Sequence, residues 1–185
     1  WLNQMTDLEL GACLADDMGL GKTVQIIAFL EYQRIEKGGK ALLILPTSLI
    51  GNWEKEIEKF APELPYQILH KSIAKNSDGM KINEDKFLYI TTYKMVSKIE
   101  DLKTRKWNYM ILDEAQAIKN PGTKQTKEIK SIKAKVRIAM TGTPIENRLG
   151  DLWSLFDFLN PGLLGSPKEF SDFANGLKDD LKGYA

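Results

Sequence analysis

Short apolar blocks alternate along this chain with longer amphipathic or polar stretches, the rhythm of βα units built on a mainly parallel sheet. Five blocks read as strands: Gly11 to Ala15, Ala41 to Leu45, Phe87 to Thr91, Tyr109 to Leu112 and Val136 to Thr141. Each is a compact apolar run, as expected of strands covered on both faces. Elsewhere the apolar positions recur at helical spacing. Thr23 to Glu36 puts Val24, Ile26, Ile27 and Leu30 on one side and is closed by Gly38 and Gly39. Asn52 to Phe60 predicts a shorter helix. Asp151 to Leu159 spaces Leu152, Leu155, Phe156 and Leu159 along one face, with Asp151 near the positive helix end and Pro161-Gly162 as the stop. Pro167 to Phe173 predicts one more helix. Lys71 to Asp85 is polar, with Asn76, Ser77, Asp78 and Gly79 at its centre, and reads as an exposed loop.

Composition narrows this picture by exclusion. At 185 residues the chain can bury a core without metals or disulfides. Its 26 basic and 25 acidic residues leave a formal charge of +1, so no global field draws it to nucleic acid or membrane. Such a partner has to be met by a local patch. The single cysteine, Cys13, excludes an internal disulfide, and the single histidine, His70, excludes the usual zinc constellations. No apolar run approaches the roughly 18 residues of a membrane span. These features predict a protein of the reducing cytoplasm, with no membrane partner.

The first chemistry follows the first strand. After Ala12-Cys13-Leu14-Ala15 come Asp16, Asp17, Met18, Gly19, Leu20, Gly21, Lys22 and Thr23, and the last opens a helix. Strand, loop, helix is the order a phosphate-binding loop needs. Backbone amides can encircle a phosphate only where no bulky β-carbon intrudes, which Gly19 and Gly21 allow, and the helix N-terminus adds a positive dipole end. Lys22 would reach the β- and γ-phosphates, and the Thr23 hydroxyl would bind Mg²⁺. One position departs from the strict G-x-x-x-x-G-K-S/T pattern: Asp16 stands where it asks for glycine. The plainer alternative is a glycine-rich turn capping an ordinary helix.

The second chemistry lies at the end of another buried strand. Tyr109-Met110-Ile111-Leu112 runs into Asp113-Glu114-Ala115-Gln116. In open α/β sheets ligands sit beyond the C-terminal strand ends. Asp113 there can hold Mg²⁺, and Glu114 can orient and deprotonate an attacking water. Alone, an Asp-Glu pair reads more readily as a solvated acidic turn before a helix. Together with a phosphate cradle it supplies what phosphoryl transfer requires.

These two elements, followed by Met140-Thr141-Gly142-Thr143-Pro144, resemble motifs I, II and III of superfamily-two helicase-like ATPases. The string Thr141-Gly142-Thr143-Pro144-Ile145-Glu146-Asn147, running into Leu149-Gly150-Asp151-Leu152-Trp153-Ser154-Leu155 and Phe158-Leu159-Asn160-Pro161, is similar to the signature of the SWI/SNF-type translocases. That family's motif I begins with Asp, so Asp16 fits it. Leu45-Pro46-Thr47-Ser48-Leu49 with Asn52-Trp53 resembles motif Ia, and Ile90-Thr91-Thr92-Tyr93 the next nucleic-acid-facing motif.

The resemblance implies a RecA-like lobe, residues 1–160, that binds ATP and Mg²⁺ and, with a second RecA-like lobe, walks on duplex DNA and remodels protein–DNA complexes. Residues 161–185 would begin a helical, family-specific extension. By the same resemblance the cofactor loop is Asp17, Met18, Gly19, Leu20, Gly21, Lys22 and Thr23, with Thr23 and Asp113 on the metal and Glu114 on the water. Gln116 stands where the family more usually has His, and an amide can still hydrogen-bond there. Thr141, Gly142 and Thr143 would couple nucleotide state to motif III. Thr47, Ser48, Thr92 and Tyr93 would lie along the DNA backbone, where hydroxyls make contacts that ignore base sequence. The location implied is DNA-associated, in a nucleoid or a nucleus. The family's adenine-reading Gln would lie before Trp1, and its second lobe beyond this chain. The piece alone is therefore expected to bind nucleotide weakly and hydrolyse little.

Other features read plainly. Lys119, Lys124, Lys127, Lys130, Lys133, Lys135 and Arg137, opposed by Glu128, form either a DNA-facing patch or a solvated helix surface. Trp153, Phe156 and Phe158 read as core, Cys13 as a small buried hydrophobe, and Trp53 is ambiguous. A small-molecule P-loop kinase would explain Lys22 and Thr23 but not the segment from Thr141 onward. An RNA helicase, or a nucleotide-dependent interaction module without turnover, are the remaining alternatives.

Overall fold

The structure, a computed structural model, describes residues 1–17, 19–70, 81–142 and 149–182. Six strands form one sheet: β1 (Ala12–Leu14), β2 (Ala41–Leu45), β3 (Tyr66–Leu69), β4 (Leu88–Thr92), β5 (Lys106–Leu112) and β6 (Lys133–Met140). Their spatial order is β1-β6-β5-β2-β4-β3, and every pairing is parallel. The α/β architecture expected from the apolar blocks is the one observed. The central strand β2 is buried throughout, because its alternate side chains enter two different cores. Ala41, Leu43 and Leu45 pack toward Ile26, Ile27 and Leu30 of α2 (Lys22–Glu36) and Trp53 and Ile57 of α3 (Ile50–Phe60), with α1 (Leu2–Asp7) alongside through Leu2. Leu42 and Ile44 pack on the other face toward Leu102 of α4 (Asp101–Thr104), Ile129 of α5 (Lys124–Ser131), and Leu155 and Phe158 of α6 (Leu149–Leu159). A last helix, α7 (Pro167–Lys182), packs against α6.

Several boundaries differ from the sequence expectation. β5 begins at Lys106 and β6 at Lys133, because polar residues there join the ladder at the sheet's far edge, pairing Lys106 with Lys133. The edge strand β3 has no strong apolar signal: Tyr66, Gln67 and Ile68 are only half-buried. The expected helix from Pro167 to Phe173 runs on to Lys182. The short helices α1 and α4 carry too few residues for a periodic pattern. Most of the expected loop from Lys71 to Asp85 lies outside the described residues.

The basic stretch from Lys119 to Arg137 is neither uniformly a patch nor uniformly solvated. Arg137 is buried, donating to the carbonyls of Phe158 at 2.9 Å, Ile132 at 2.9 Å and Lys130 at 3.2 Å, with its guanidinium 5.3 Å from the Phe158 ring centre. Lys130 pairs with Asp157 at 2.8 Å and lies over Trp153. Trp153 and Phe158 are core, as read from their spacing, and Phe156 is half-buried. No helix among the described residues is long and apolar enough to cross a membrane.

The start of β1 is locked to the end of α6. Gly11 donates its amide to Asn160 Oδ1 at 2.9 Å, and a β-carbon at Gly11 would sit 2.3 Å from the Leu159 carbonyl oxygen. Gly11→Ala therefore overpacks against backbone and should cost about 1–3 kcal/mol in urea unfolding. Gly176→Ala, in open space on α7, should gain up to about 1 kcal/mol by helix propensity.

Candidate active site

A parallel sheet delivers all its C-terminal strand ends to one rim. The register pairs Leu14 with Met140, Ala139 with Leu112, Ile44 with Leu112, and Leu45 with Thr92. The segments that leave this rim are therefore the phosphate-loop candidate after Leu14, Asp113-Glu114 after Leu112, Thr141-Gly142 after Met140, Pro46 to Ser48 after Leu45, and Tyr93 after Thr92. Only β6 separates the strands that carry the loop and the acid pair, a span of roughly 10 Å at ordinary strand spacing. A cavity of about 340 Å³ lies there, lined by Gly19, Gly21, Lys22, Thr23, Leu49, Asn52, Glu56, Asp113 and Glu114 among others.

The loop has the conformation its glycines allow. Gly19 and Gly21 have φ of +87° and +75°, a left-handed region costly for any residue with a β-carbon, and Gly21 caps α2. Lys22 begins the helix and turns back over the loop, donating from Nζ to the carbonyls of Asp16 at 2.5 Å and Asp17 at 3.0 Å. Gln25 donates to Asp16 Oδ2 at 3.0 Å, so the departure from glycine at this position gives the loop a tie to the helix. Asp17, Gly19 and Leu20 are exposed. Met18 lies outside the described residues.

The acid pair is held more tightly. Asp113 is buried at the end of β5, accepting at Oδ2 from the Trp53 indole at 2.7 Å and at Oδ1 from the Glu114 amide at 2.9 Å. Its carbonyl accepts from the Tyr93 hydroxyl at 2.7 Å. Burial pushes the Asp113 carboxyl above its ordinary range, while the Trp53 and Glu114 bonds pull it partly back. A carboxyl raised in this way costs the fold stability as pH climbs through its folded pKa, where the ionised form takes over. Burial, reinforced by Asp113 and Glu114, raises the Tyr93 phenol well above its usual value, so that it acts as a fixed donor. Glu114 itself has φ +52°, left-handed for a residue that is not glycine.

Gln116 sits between the two neighbouring segments. Its Nε2 donates to Glu114 Oε2 at 2.6 Å, and its Oε1 accepts from the Thr141 hydroxyl at 3.1 Å. One amide thus links the acid pair to the segment after β6. Gly142 follows Thr141 at the rim, and Thr143 to Arg148, with most of the string that carried the family signature, lies outside the described residues.

The expected DNA-backbone residues divide. Thr47 and Ser48 are exposed on a 3-10 turn, Thr47–Leu49, that leads into α3. Thr92 and Tyr93 are not on the surface: they are 2% and 7% exposed, and Tyr93 is committed to Asp113. The resemblance implied a place for their hydroxyls along DNA, whereas the end of a strand flanked by neighbours on both sides is covered on both faces. The sequence reading also left Trp53 without a role. Its indole is fully enclosed and meets the acid from another element, a partnership that one-dimensional spacing does not reveal. Gln25 carried no reading in the sequence, Glu56 read as part of a charged helix face without chemistry, and Asn52 entered only through the motif Ia resemblance; the fold puts Asn52 and Glu56 on the cavity wall and ties Gln25 to Asp16.

A family model described as the SNF2-related domain matches residues 1–181. The chain belongs to that family. A solved structure titled Sulfolobus solfataricus SWI2/SNF2 ATPase core in complex with dsDNA is similar to it, with TM-score 0.85 and 48% identity over 93% of this chain and 36% of that one. The DNA excision repair protein ERCC-6-like of Danio rerio is 43% identical over 86% of this chain and 12% of its own length. The chromatin-remodeling ATPase INO80 of Pyricularia oryzae is 38% identical over the whole chain and 10% of its own. The chain thus spans under a fifth of the length of these curated relatives. The SNF2-related sheet and helices form the RecA-like lobe expected from the sequence.

The SNF2-related lobe has a donor set suited to Mg²⁺. This ion takes hard oxygens and is commonly held by one or two carboxylates, substrate phosphates and water. Thr23 and Asp113 line one cavity, and among the described residues each Asp113 carboxylate oxygen accepts one N–H bond, leaving lone pairs for a cation. A cation held there would supply positive charge against phosphate oxygens.

The left-handed backbone at Glu114 yields a stability test. Glu114→Gly and Glu114→Ala both lose the Gln116 bond, but only Ala retains the left-handed penalty. The Gly variant should be the more stable by about 1 kcal/mol in urea unfolding. A more stable Ala variant would contradict the left-handed backbone.

Proposed function

We propose that this chain is the ATP- and Mg²⁺-binding lobe of a DNA-dependent ATPase that translocates on duplex DNA and remodels protein–DNA complexes. The observation that carries the reading is the single cavity shared by the glycine loop, Lys22, Thr23, Asp113 and Glu114 on one rim of the parallel sheet. The relatives' names support the choice of ATP and of duplex DNA among possible polymers. The solved relative in complex with dsDNA counts against the RNA helicase and the small-molecule kinase.

In this reading a triphosphate displaces the Asp16 and Asp17 carbonyls from Lys22, whose ammonium then meets phosphate oxygens as the loop amides close around them. Glu114, fixed by Gln116, orients a water and accepts its proton as the new oxygen–phosphorus bond forms and the bond to the β-phosphate breaks. Asp113 with Thr23 would hold the Mg²⁺. Thr141, bonded to Gln116, passes the change at the acid pair to the segment beyond β6. Thr47 and Ser48 contact DNA phosphates. Residues 161–185 begin an extension, and a second RecA-like lobe contributes the arginine that completes the γ-phosphate site. Such an arginine is worth roughly 10³ to 10⁵ in rate in related systems, so the isolated lobe turns over slowly. The parent protein acts where its DNA lies, in a nucleoid or nucleus.

The test is steady-state ATPase activity of the full-length parent with duplex DNA, single strands, RNA or no polymer. Duplex DNA should stimulate most, and stimulation by RNA alone would overturn the reading. Lys22→Ala should abolish nucleotide binding. Glu114→Gln should lower kcat by roughly 10² to 10⁴ while nucleotide still binds.

A further inference from the structure

Helix α3 joins two places that the proposed function treats separately. Its N-terminal end follows the exposed turn Thr47–Leu49, and its first turns form a wall of the nucleotide cavity through Asn52 and Glu56. Between those two residues stands Trp53, fully buried, with its only polar atom spent on Asp113 Oδ2 at 2.7 Å. A bond to an ionised acceptor is among the stronger ones, and it weakens steeply once its angle or length drifts.

Asp113 is held in two independent ways. Tyr93, at the end of β4, fixes its carbonyl at 2.7 Å, and the parallel ladder fixes its amide to the Ile44 carbonyl at 2.9 Å. The main chain at this position thus belongs to the sheet. Of the two bonds to the carboxylate, one comes from the adjoining Glu114 amide, and the other from a side chain on a separate helix. Trp53 is therefore the contact through which a small shift of α3 changes where the carboxylate points without moving the sheet.

We propose that Trp53 is a positioning residue that couples a polyanionic strand on the Thr47–Ser48 turn to the grip of Asp113 on metal-bound nucleotide. Phosphates seated on the turn tilt or draw in the start of α3. The indole follows, since it sits on the next turn of the same helix, and the carboxylate with it. The coupling is reciprocal by thermodynamic linkage: whatever factor duplex DNA applies to nucleotide affinity, nucleotide applies to DNA affinity. This inference rests on the proposed function.

The experiment uses the full-length parent and a fluorescent, non-hydrolysable ATP analogue with Mg²⁺. Its Kd is measured with and without duplex DNA, and their ratio is the coupling factor. The parent should give a factor of roughly 5 to 150. Trp53→Phe keeps an aromatic ring but loses the donor, and should bring the factor to within about twofold of unity. Trp107→Phe is the control. It removes another buried indole bond, to the Leu102 carbonyl at 2.9 Å, on β5 away from the site. It should keep the parent's factor, which separates positioning from general loss of stability. Should Trp53→Phe not fold, the exposed pair Thr47→Glu with Ser48→Glu tests the other end of the link and should also collapse the factor.

A folded Trp53→Phe, or the Glu pair, that retains the parent's factor overturns the inference alone. So does a parent whose turnover is stimulated by DNA but whose factor is unity. A parent with no polymer-stimulated turnover overturns the functional reading and this inference with it.

Discussion

All six strands run in one direction, and that constraint organises everything else in the molecule. A parallel sheet sends each strand's C-terminal end to the same rim, so segments more than a hundred residues apart in sequence become neighbours around one cavity. The helices that make the return journeys cover both faces. The strands can therefore be apolar on both sides, and polar side chains collect where the strands stop.

Within that rim the buried Asp113 carboxylate is the costly element. Burial disfavours its charge, which an indole from one helix and the amide of the next residue partly offset, while a phenol fixes the main-chain carbonyl. The indole and the phenol come from different segments, so the acid ties β5, β4 and α3 into one unit. Glu114 adds a backbone held in a sparsely populated region, and Gln116 steadies its side chain from the other direction. Strain and desolvation sit together at this rim, and functional sites are where both tend to gather.

The lysines and arginine that looked like one basic stretch illustrate how position in the fold reassigns a residue. Arg137 became an interior strut for the end of α6, and Lys130 an ion-pair partner of Asp157 over the Trp153 ring. A charge count along the chain could not separate these from the exposed lysines nearby, because burial of a cation depends on which carbonyls and carboxylates the fold brings to it. The same limit applied to Thr92 and Tyr93. Their hydroxyls suited a phosphate backbone, yet the sheet enclosed them.

The sequence by itself determined the class of fold and the two halves of the site. Continuous apolar runs specify strands buried on both faces, and a phosphate loop or a strand-end acid pair is written in consecutive residues, so local order suffices to read them. It also carried the family resemblance, in strings such as Asp16 to Thr23 and Thr141 to Asn147. Only the tertiary structure decided that Trp53 meets Asp113, that Gln116 bridges Glu114 to Thr141, and that Tyr93 faces inward. Gln116 meets Glu114 only two residues away, across the left-handed backbone at Glu114, but Trp53, Tyr93 and Thr141 each reach their partners from a different element. Their geometry depends on strand order and register, and a linear pattern of polar and apolar positions records neither.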